Sequence, residues 1–390
     1  MGRRSAGEML RELPQTEFSV LGAERFRYPV VMASSPLSRY HRQMILPGIG
    51  AEGQARLGAG HAMIVGCGAL GTVVADLLAR AGVGRLSIVD RDVVERTNLQ
   101  RQVLFDERDA AEAMPKAEAA RRRLMAVNSE ISIHAIVEDF SPENAEQLVR
   151  PHPTPTVLID GTDNFETRYL INDVAVKLSV PYVYGGAVGT GGMSMSILPG
   201  MTACLRCVFP EPPPAGAAPT CDTAGIWGPV SAMVGAAQAA DAMKIIVGRT
   251  DLLSGTLLSF DAWRNSSRQL DLRSARRADC PCCGGREFEY LAGRHGGQTR
   301  VLCGRNSVQV IPRGEGVGGF SLGLADLAAR LARHGEFALT EHTLAGRFSG
   351  ERSPEGFPLG ITVFADGRAI VSGTTDAAVA RGIYSRYVGG

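Results

Sequence analysis

Residues 61–71 read His61-Ala-Met-Ile-Val-Gly66-Cys-Gly68-Ala-Leu-Gly71, and residues 85–90 read Arg85-Leu-Ser-Ile-Val-Asp90. The first is an apolar run entering a G-x-G-x-x-G turn. Behind it, Ala69 to Ala81 sets Val73, Val74, Leu77 and Leu78 on one face of a helix. The second is another β-branched run, closed by a carboxylate. Strand, glycine loop, helix and strand make a β-α-β unit whose turn offers backbone N–H groups and a helix N-terminus to a phosphate. Asp90, about 20 residues beyond the loop, stands where a carboxylate accepts ribose hydroxyls. By itself this says nucleotide, with NAD the commoner ligand.

The alternation continues outward. Lys116 to Val127 is predicted as a helix, Ile131 to Val137 a strand, Pro142 to Val149 a short helix, and Thr156 to Asp160 a buried strand. Phe165 to Leu178 reads as a helix, and Tyr182 to Tyr184 as a short strand ending at Gly185-Gly186. This order predicts an α/β fold: a doubly wound, mostly parallel Rossmann-like sheet. Residues 193–198 and 255–270 are expected to extend it antiparallel. Residues 210–219, with five prolines, form an irregular crossing loop, and Gly228 to Val247 a buried or dimer-facing helix. Residues 1–36 show no sustained period and are expected to be a mobile leader. The α/β domain spans 37–290, with Arg39 to Leu46 leading into a glycine-containing turn. A small α+β domain of unknown role spans 298–390 in the order β-α-β-β-β-α. Its expected elements are strand Ser307 to Ile311, helix Leu322 to His334, strand Phe337 to Leu344, a hairpin around Asp366-Gly367 and helix Asp376 to Tyr387.

Beyond the second strand comes a polar set. Asp92 and Thr97-Asn98-Leu99-Gln100-Arg101-Gln102 place carboxylate, amide and guanidinium groups past the ribose-binding position. Pro115-Lys116 opens a helix with a cation aimed back at the sheet. Asp160-Gly-Thr-Asp163-Asn164 follows another strand, at the carboxyl edge where ligands of such sheets gather. Arginine and lysine neutralise a triphosphate, and a carboxylate holds Mg²⁺ through oxygen. A dinucleotide enzyme needs no such set, because backbone handles most of its diphosphate.

Cysteine usage adds a second chemistry. Of eight cysteines, Cys204-Leu-Arg-Cys207 and Cys280-Pro-Cys-Cys283 form two half-sites of the kind that close a tetrahedral structural Zn²⁺ site. Their separation requires the tertiary fold to join them, and Cys282 is a spare thiol within the second knuckle. Cys221 lies between the proline-rich loop and the apolar helix. From spacing alone it is equally an inert loop residue or a nucleophile. Cys67 reads as a small packing residue, and Cys303 has no assigned role.

Together, Arg39-Tyr-x-Arg42-Gln, Val65-Gly-x-Gly-x-Leu-Gly71, Ser87-Ile-Val-Asp90, Asn98-Leu-Gln-Arg101-Gln102, Pro115-Lys116 and Thr162-Asp163-Asn164 resemble the MoeB/ThiF family of ubiquitin-activating-like adenylyltransferases. The resemblance covers roughly Ser38 to Gly284. It implies ATP at Gly66, Gly68, Ala69 and Gly71, with ribose on Asp90 and with Asp92, Gln102 and Asn164 lining the site. It implies phosphates on Asn98, Arg101 and Lys116, Mg²⁺ on Asp163, and a homodimer in which Arg42 reaches the partner subunit's ATP. It also implies structural zinc on Cys204, Cys207, Cys280 and Cys283, and a thioester- or persulfide-forming role for Cys221, with a persulfide donor as a further partner. Ala69 stands where the family often has glycine, which predicts tighter packing over the phosphate.

The expected reaction is adenylation of the C-terminal glycine carboxylate of a small β-grasp sulfur carrier ending in Gly-Gly, of the MoaD or ThiS kind. The product serves thiocarboxylate formation for molybdopterin or thiamine-thiazole synthesis. A terminal carboxylate, with a pKa of about 3.3–3.7, is already ionised at neutral pH, so no general base is needed. Two alternatives remain: an NAD-dependent oxidoreductase, which leaves the cationic set and the Cys-x-x-Cys pairs unexplained, and a non-catalytic carrier-binding scaffold. Lys plus Arg number 41 against 40 Asp plus Glu, so a nucleic-acid binder working by bulk charge is excluded. Residues 228–247 are interrupted by Gln238, Asp241 and Lys244, so no membrane span is expected there. Without an export signal, and with paired thiols in place of a disulfide framework, the chain is expected in the cytoplasm.

Overall fold

The computed structural model describes residues 36–112, 114–150, 153–213, 224–294, 298–302, 306–311, 322–340, 343–365 and 367–389. The expected leader lies outside them except for Pro36, as do Cys221, Cys303 and the end of the proline-rich loop.

The first sheet contains β1 (His61–Val65), β2 (Arg85–Val89), β3 (Ser132–Ile136), β4 (Val157–Asp160), β5 (Tyr182–Val188), β6 (Gly191–Ile197), β7 (Thr256–Asp261) and β8 (Ser266–Asp271). Its order is β3-β2-β1-β4-β5-β6-β7-β8. The first five strands pair in parallel, and β6, β7 and β8 add on antiparallel. Order reverses between β1 and β4, so the loops leaving those strands diverge and open a crevice at the carboxyl edge.

Helices α1 (Gly50–Ala59), α2 (Gly71–Ala81), α3 (Lys116–Val127), α4 (Ala145–Val149), α5 (Phe165–Leu178) and α6 (Gly228–Ile246) accompany the sheet. Strand β1 shows why both faces are covered. Ala62 and Ile64 belong to a core with Val74, Leu78, Leu86, Leu124 and Ile245. Met63 and Val65 belong to another with Tyr169, Ile171, Val174 and Tyr182. Every residue of β1 is buried, as expected for a parallel strand with helices on both sides. Each large side chain so placed contributes about 1.5–3 kcal/mol by burial.

The elements add to or depart from expectation at several points. Beyond Leu46 the chain does turn, but it then forms α1. The glycines at 50, 53 and 58 weaken the helical signal, yet Gln54 and Leu57 bury one face and Gln54 donates to the Ala81 carbonyl. Strand β5 does not end at Gly185-Gly186 but runs to Val188. Gly185 is bare because α6 lies over it: a Cβ there would sit 2.4 Å from Gln238 Nε2. Residues 255–270 are two strands around a turn in which Asn265 takes φ +50°. The span 337–344 breaks into two strands at Thr340, whose hydroxyl accepts from the Thr343 N–H at 3.0 Å.

The second sheet holds β9 (Gln298–Leu302), β10 (Ser307–Ile311), β11 (Gly335–Leu339), β12 (Thr343–Arg352), β13 (Pro358–Phe364) and β14 (Ala369–Ser372). Its order is β11-β12-β13-β14-β10-β9, antiparallel throughout. With α7 (Leu324–Leu331) and α8 (Ala377–Tyr387), the sequence order is β-β-α-β-β-β-β-α rather than β-α-β-β-β-α. Val308, Leu327, Leu331, Leu344, Phe348, Val371 and Ile383 form its core. Among the described residues, no helix is long and apolar enough to cross a membrane.

Candidate active site

The glycine loop sits where β1 and β4 part. Gly66 has φ +89°, and a Cβ on it would meet the Gly161 carbonyl carbon at 2.7 Å. A Cβ on Gly71 would lie 1.9 Å from the Gly66 carbonyl oxygen. These glycines let the β1 and β4 loops pack backbone to backbone. Gly68 differs, because a Cβ there meets nothing nearer than Gln102 Nε2 at 3.8 Å. Packing does not require that glycine, and its open face is where a phosphate can approach. The Gln102 side chain is buried beside it, with Oε1 lacking any hydrogen-bond partner. A buried amide that turns its Nε2 toward a bare glycine loop and keeps an unsatisfied oxygen fits a site for a polar ligand.

Asp90 accepts the Cys67 N–H at 2.6 Å and the Asp92 N–H at 2.8 Å. Burial pushes its carboxyl up to about 6, against the pull of Lys116 and the two N–H groups. Lys116 is buried, with Nζ 3.1 Å from Asp92 Oδ2. Burial works against its charge, but Asp92, Asp90 and Asp163 together keep it protonated. The Asp92 carboxyl is likewise penalised by burial, and Lys116, Arg386 and Arg91 bring it below the usual range. Thus, around the loop, a cation and three carboxylates already interact.

The β4 loop is held from beneath. Asp160 is fully buried and accepts the Thr162 N–H and hydroxyl at 2.9 and 2.7 Å and the Tyr182 hydroxyl at 3.1 Å. Arg168 pairs with it at 3.4 Å and donates to the Thr162 carbonyl at 2.8 Å. Gln238 donates to the Asp160 carbonyl at 2.7 Å. This frame presents Asp163 to solvent one residue beyond Thr162. Asn164 caps α5 instead: its Oδ1 accepts the Thr167 N–H at 2.8 Å. Sequence reading did not single out Arg168, and marked Gln238 only as a polar break in an apolar run. Arg168 sits among apolar helix positions, with no spacing to betray a carboxylate across the sheet.

Asn98 is buried, and its Oδ1 accepts the Glu95 N–H at 3.1 Å. Arg101 donates to the Thr97 carbonyl at 2.9 Å, so its guanidinium curls back over its own turn. Arg42 is exposed on the helical turn His41–Met44. Its neighbours Tyr40 and Gln43 pack at the far end of α2: the Tyr40 ring lies against Gly82, and Gln43 donates to the Ala81 carbonyl at 3.0 Å. An eleven-residue helix is about 16 Å long, so this Arg42 is not gathered with its own chain's glycine loop. Cys221 lies outside the described residues. Shortly after it, Gln100 Nε2 donates to the Ile226 carbonyl at 3.5 Å, which ties the exit of the crossing loop to the Asn98–Gln102 turn.

The four paired cysteines converge. The sulfurs of Cys204, Cys207, Cys280 and Cys283 all lie within 4.8 Å of one another. Cys204–Cys280 is 3.6 Å, Cys207–Cys283 3.4 Å and Cys204–Cys207 3.9 Å. Tetrahedral zinc with bonds of about 2.3 Å needs sulfurs about 3.8 Å apart, so the cluster is compatible with that ion. The Arg277 N–H reaches Cys207 Sγ at 3.5 Å. Crowding against Cys204 and burial push the Cys207 thiol up to about 12, and burial takes Cys283 to about 11. Cys282 stays outside the quartet and takes a hydrogen bond from Asn172 Nδ2 at 3.2 Å. Cys67 is fully buried in the core.

The ThiF family matches residues 40–282. The chain belongs to the ThiF family. It is 39% identical to the sulfur carrier protein ThiS adenylyltransferase of Bacillus subtilis, over 90% of this chain and 99% of that protein. It is 44% identical to the sulfur carrier protein adenylyltransferase of Thermus thermophilus, over 64% of this chain and 91% of that one. Among solved structures, Escherichia coli MccB with ATP aligns at a TM-score of 0.54 and 26% identity, covering 63% of this chain and 74% of that one. The Bacillus alignment exceeds the span of the ThiF match, so the likeness to that relative extends past the family's core.

Proposed function

We propose that this ThiF-family chain is an ATP-dependent adenylyltransferase that activates the C-terminal glycine carboxylate of a small β-grasp sulfur carrier ending in Gly-Gly. One observation carries the reading: the open Gly68 face, flanked by Gln102 and next to the Asp90 carboxylate on the Cys67 N–H and the Lys116–Asp92 pair, lies beside the loop of Asp163 at the sheet's switch point. The full-length likeness to an adenylyltransferase named for ThiS favours a ThiS-like carrier over a MoaD-like one. An NAD-dependent oxidoreductase is not favoured, since it has no use for Lys116, Asp163 and the cysteine quartet together.

The carrier carboxylate attacks the α-phosphorus of ATP, the bond to the bridging oxygen breaks, and pyrophosphate leaves as an anion. No proton must move. Catalysis is alignment and charge compensation. Asp90 takes the ribose, beside Asp92 and the backbone at Gly66, Gly68, Ala69 and Gly71, while Asn164 caps the helix behind Asp163. Lys116, Asn98 and Gln102 serve the phosphates, joined by Arg101 once its guanidinium swings out from the Thr97 carbonyl. Asp163 is the residue that would hold Mg²⁺, whose charge offsets that of the triphosphate. Arg42 acts across a homodimer, which the distance of its turn from its own loop supports. Zn²⁺ on the cysteine quartet is structural, with four protein ligands and no open position.

Residues 37–290 form the adenylation domain and 298–390 a separate small domain. Cys221 serves the later step. Loaded with persulfide from an external donor, its terminal sulfur displaces AMP from the acyl-adenylate, and a second thiol then cleaves the S–S bond to release the thiocarboxylate. Paired reduced thiols suit the cytoplasm. Intact-mass analysis of a ThiS-like carrier incubated with enzyme, ATP and Mg²⁺ should show an AMP adduct that hydroxylamine discharges. A carrier of unchanged mass, with neither adduct nor hydroxamate formed, would count against the reading.

A further inference from the structure

We infer that Gly186, Tyr184 and Arg168 form a specificity subsite for the Gly-Gly tail of the carrier, in which the Tyr184 hydroxyl and Arg168 Nη1 donate to a main-chain carbonyl of that tail. This rests on the adenylation reading and deepens it.

Tyr182, Tyr184 and Gly186 alternate onto one face of β5, where the two tyrosines pack with Tyr169 and Ile171 of α5. Gly186 is the one of the three nearest the carboxyl edge. A Cβ on it would lie 2.9 Å from the Tyr184 hydroxyl oxygen and 3.8 Å from Arg168 Nη1. No left-handed φ and no close main-chain neighbour requires glycine there, so the bare position serves to keep two polar tips uncovered. Tyr184 is 4% exposed, and among the described residues its hydroxyl makes no hydrogen bond. Burial holds the phenol above its usual pKa, so it is a donor at neutral pH. Arg168 is buried as well. Its Nη2 donates to the Thr162 carbonyl at 2.8 Å and its Nε faces Asp160 at 3.4 Å, which leaves Nη1 without a hydrogen bond among the described residues. The Phe165 and Tyr184 rings, 5.3 and 5.7 Å from its central carbon, hold the guanidinium in place. A buried phenol and a buried guanidinium each keep an unused donor beside one bare glycine. Unmade hydrogen bonds of this kind are costly, and an acceptor entering the corner satisfies both.

Position identifies the acceptor. One guanidinium spans from the Thr162 carbonyl, next to Asp163, to the corner at Gly186, so the corner adjoins the loop where the carboxylate must meet ATP. Past Gly186 the same sheet face is open. Met193, its cross-strand partner, is exposed, and a Cβ on Gly191 would meet nothing nearer than 3.5 Å. A chain arriving over that face passes Gly186 on its way to Asp163. Asp160 already neutralises Arg168, so the donor pair suits a neutral carbonyl better than a second anion. An extended Gly-Gly offers that carbonyl and carries no side chain to strike the tyrosine.

The test is pyrophosphate exchange at saturating ATP, titrated with a ThiS-like carrier ending in Gly-Gly, beside calorimetric binding of α,β-methylene-ATP with Mg²⁺ to the same full-length variants. Tyr184→Phe should raise the carrier KM about fivefold, the size expected for one hydrogen bond left unmade. Its kcat should stay within about twofold of wild type, and its affinity for the analogue should not change. Gly186→Ala should raise the carrier KM at least as much, again with nucleotide affinity intact. In the Gly186→Ala background, Tyr184→Phe should add less than about twofold, because the tail no longer reaches the hydroxyl. A Tyr184→Phe carrier KM equal to wild type, the result if water alone fills the corner, would overturn the inference. So would a full effect in the Gly186→Ala background, or a matching loss of nucleotide affinity, which marks a structural role beneath the Asp163 loop. No carrier-dependent exchange in a wild type that binds the analogue would instead defeat the adenylation reading, and this inference with it.

Discussion

At the scale of single residues, the site is a set of charges whose states depend on one another. Asp90 is the most informative. Burial raises its carboxyl to about 6, above the ordinary value of about 3.9. Its ionised form, which accepts the Cys67 and Asp92 N–H groups, is the form suited to ribose hydroxyls. As pH falls through 6 the folded protein takes up a proton there, so ATP affinity should drop below pH 6 and level off above pH 7. Fluorescence titrations with a labelled nucleotide would show the step, and Asp90→Asn should bind weakly with no inflection at that pH. An inflection that survives the substitution would assign the titration elsewhere. The candidate residues were legible because their types and order are unusual together: cations, amides and carboxylates following two of the parallel strands. What supports them was not. Asp160, Arg168 and Gln238 meet only when β4, α5 and α6 pack, and no local pattern announces a partner 78 residues away.

At the scale of elements, hydrophobic period placed the parallel core because those strands are buried on both faces and read as continuous apolar runs. It failed where glycine has two meanings. Gly185-Gly186 looks like punctuation but marks the close approach of α6 to a continuing strand. Span 337–344 looks like one strand, but Thr340 and Thr343 close a turn within it. Helix α1 carries three glycines and forms because tertiary burial outweighs propensity. The cysteine knuckles were legible by spacing, and their joining was not, since it brings position 204 to 280. Replacing Cys207 with Ser should lower zinc content and stability together, with a loss on the order of 4 kcal/mol for a damaged structural metal site. Elemental analysis with melting curves would check this, and a metal-free protein of unchanged stability would contradict it.

At the scale of the whole molecule, the account needs two copies. Tyr40 and Gln43 fix the Arg42 turn at the end of α2 remote from its own glycine loop, so Arg42 must serve a neighbour if it serves ATP. Asp163→Ala and Arg42→Ala should each abolish adenylation while leaving melting nearly unchanged. An equal mixture with free subunit exchange makes half its dimers mixed, each with one intact pairing of Asp163 and the partner's Arg42. Activity should therefore return to about a quarter of wild type. No recovery would place Arg42 outside the reaction. The central claim, adenylation of a carrier's terminal carboxylate, is tested most directly by exchange of labelled pyrophosphate into ATP. With Mg²⁺ and a ThiS-like carrier ending in Gly-Gly, exchange should be rapid, and with the carrier shortened by its last glycine it should fall to background. Exchange that ignores the carrier, or none with any Gly-Gly carrier despite bound ATP, would contradict the account.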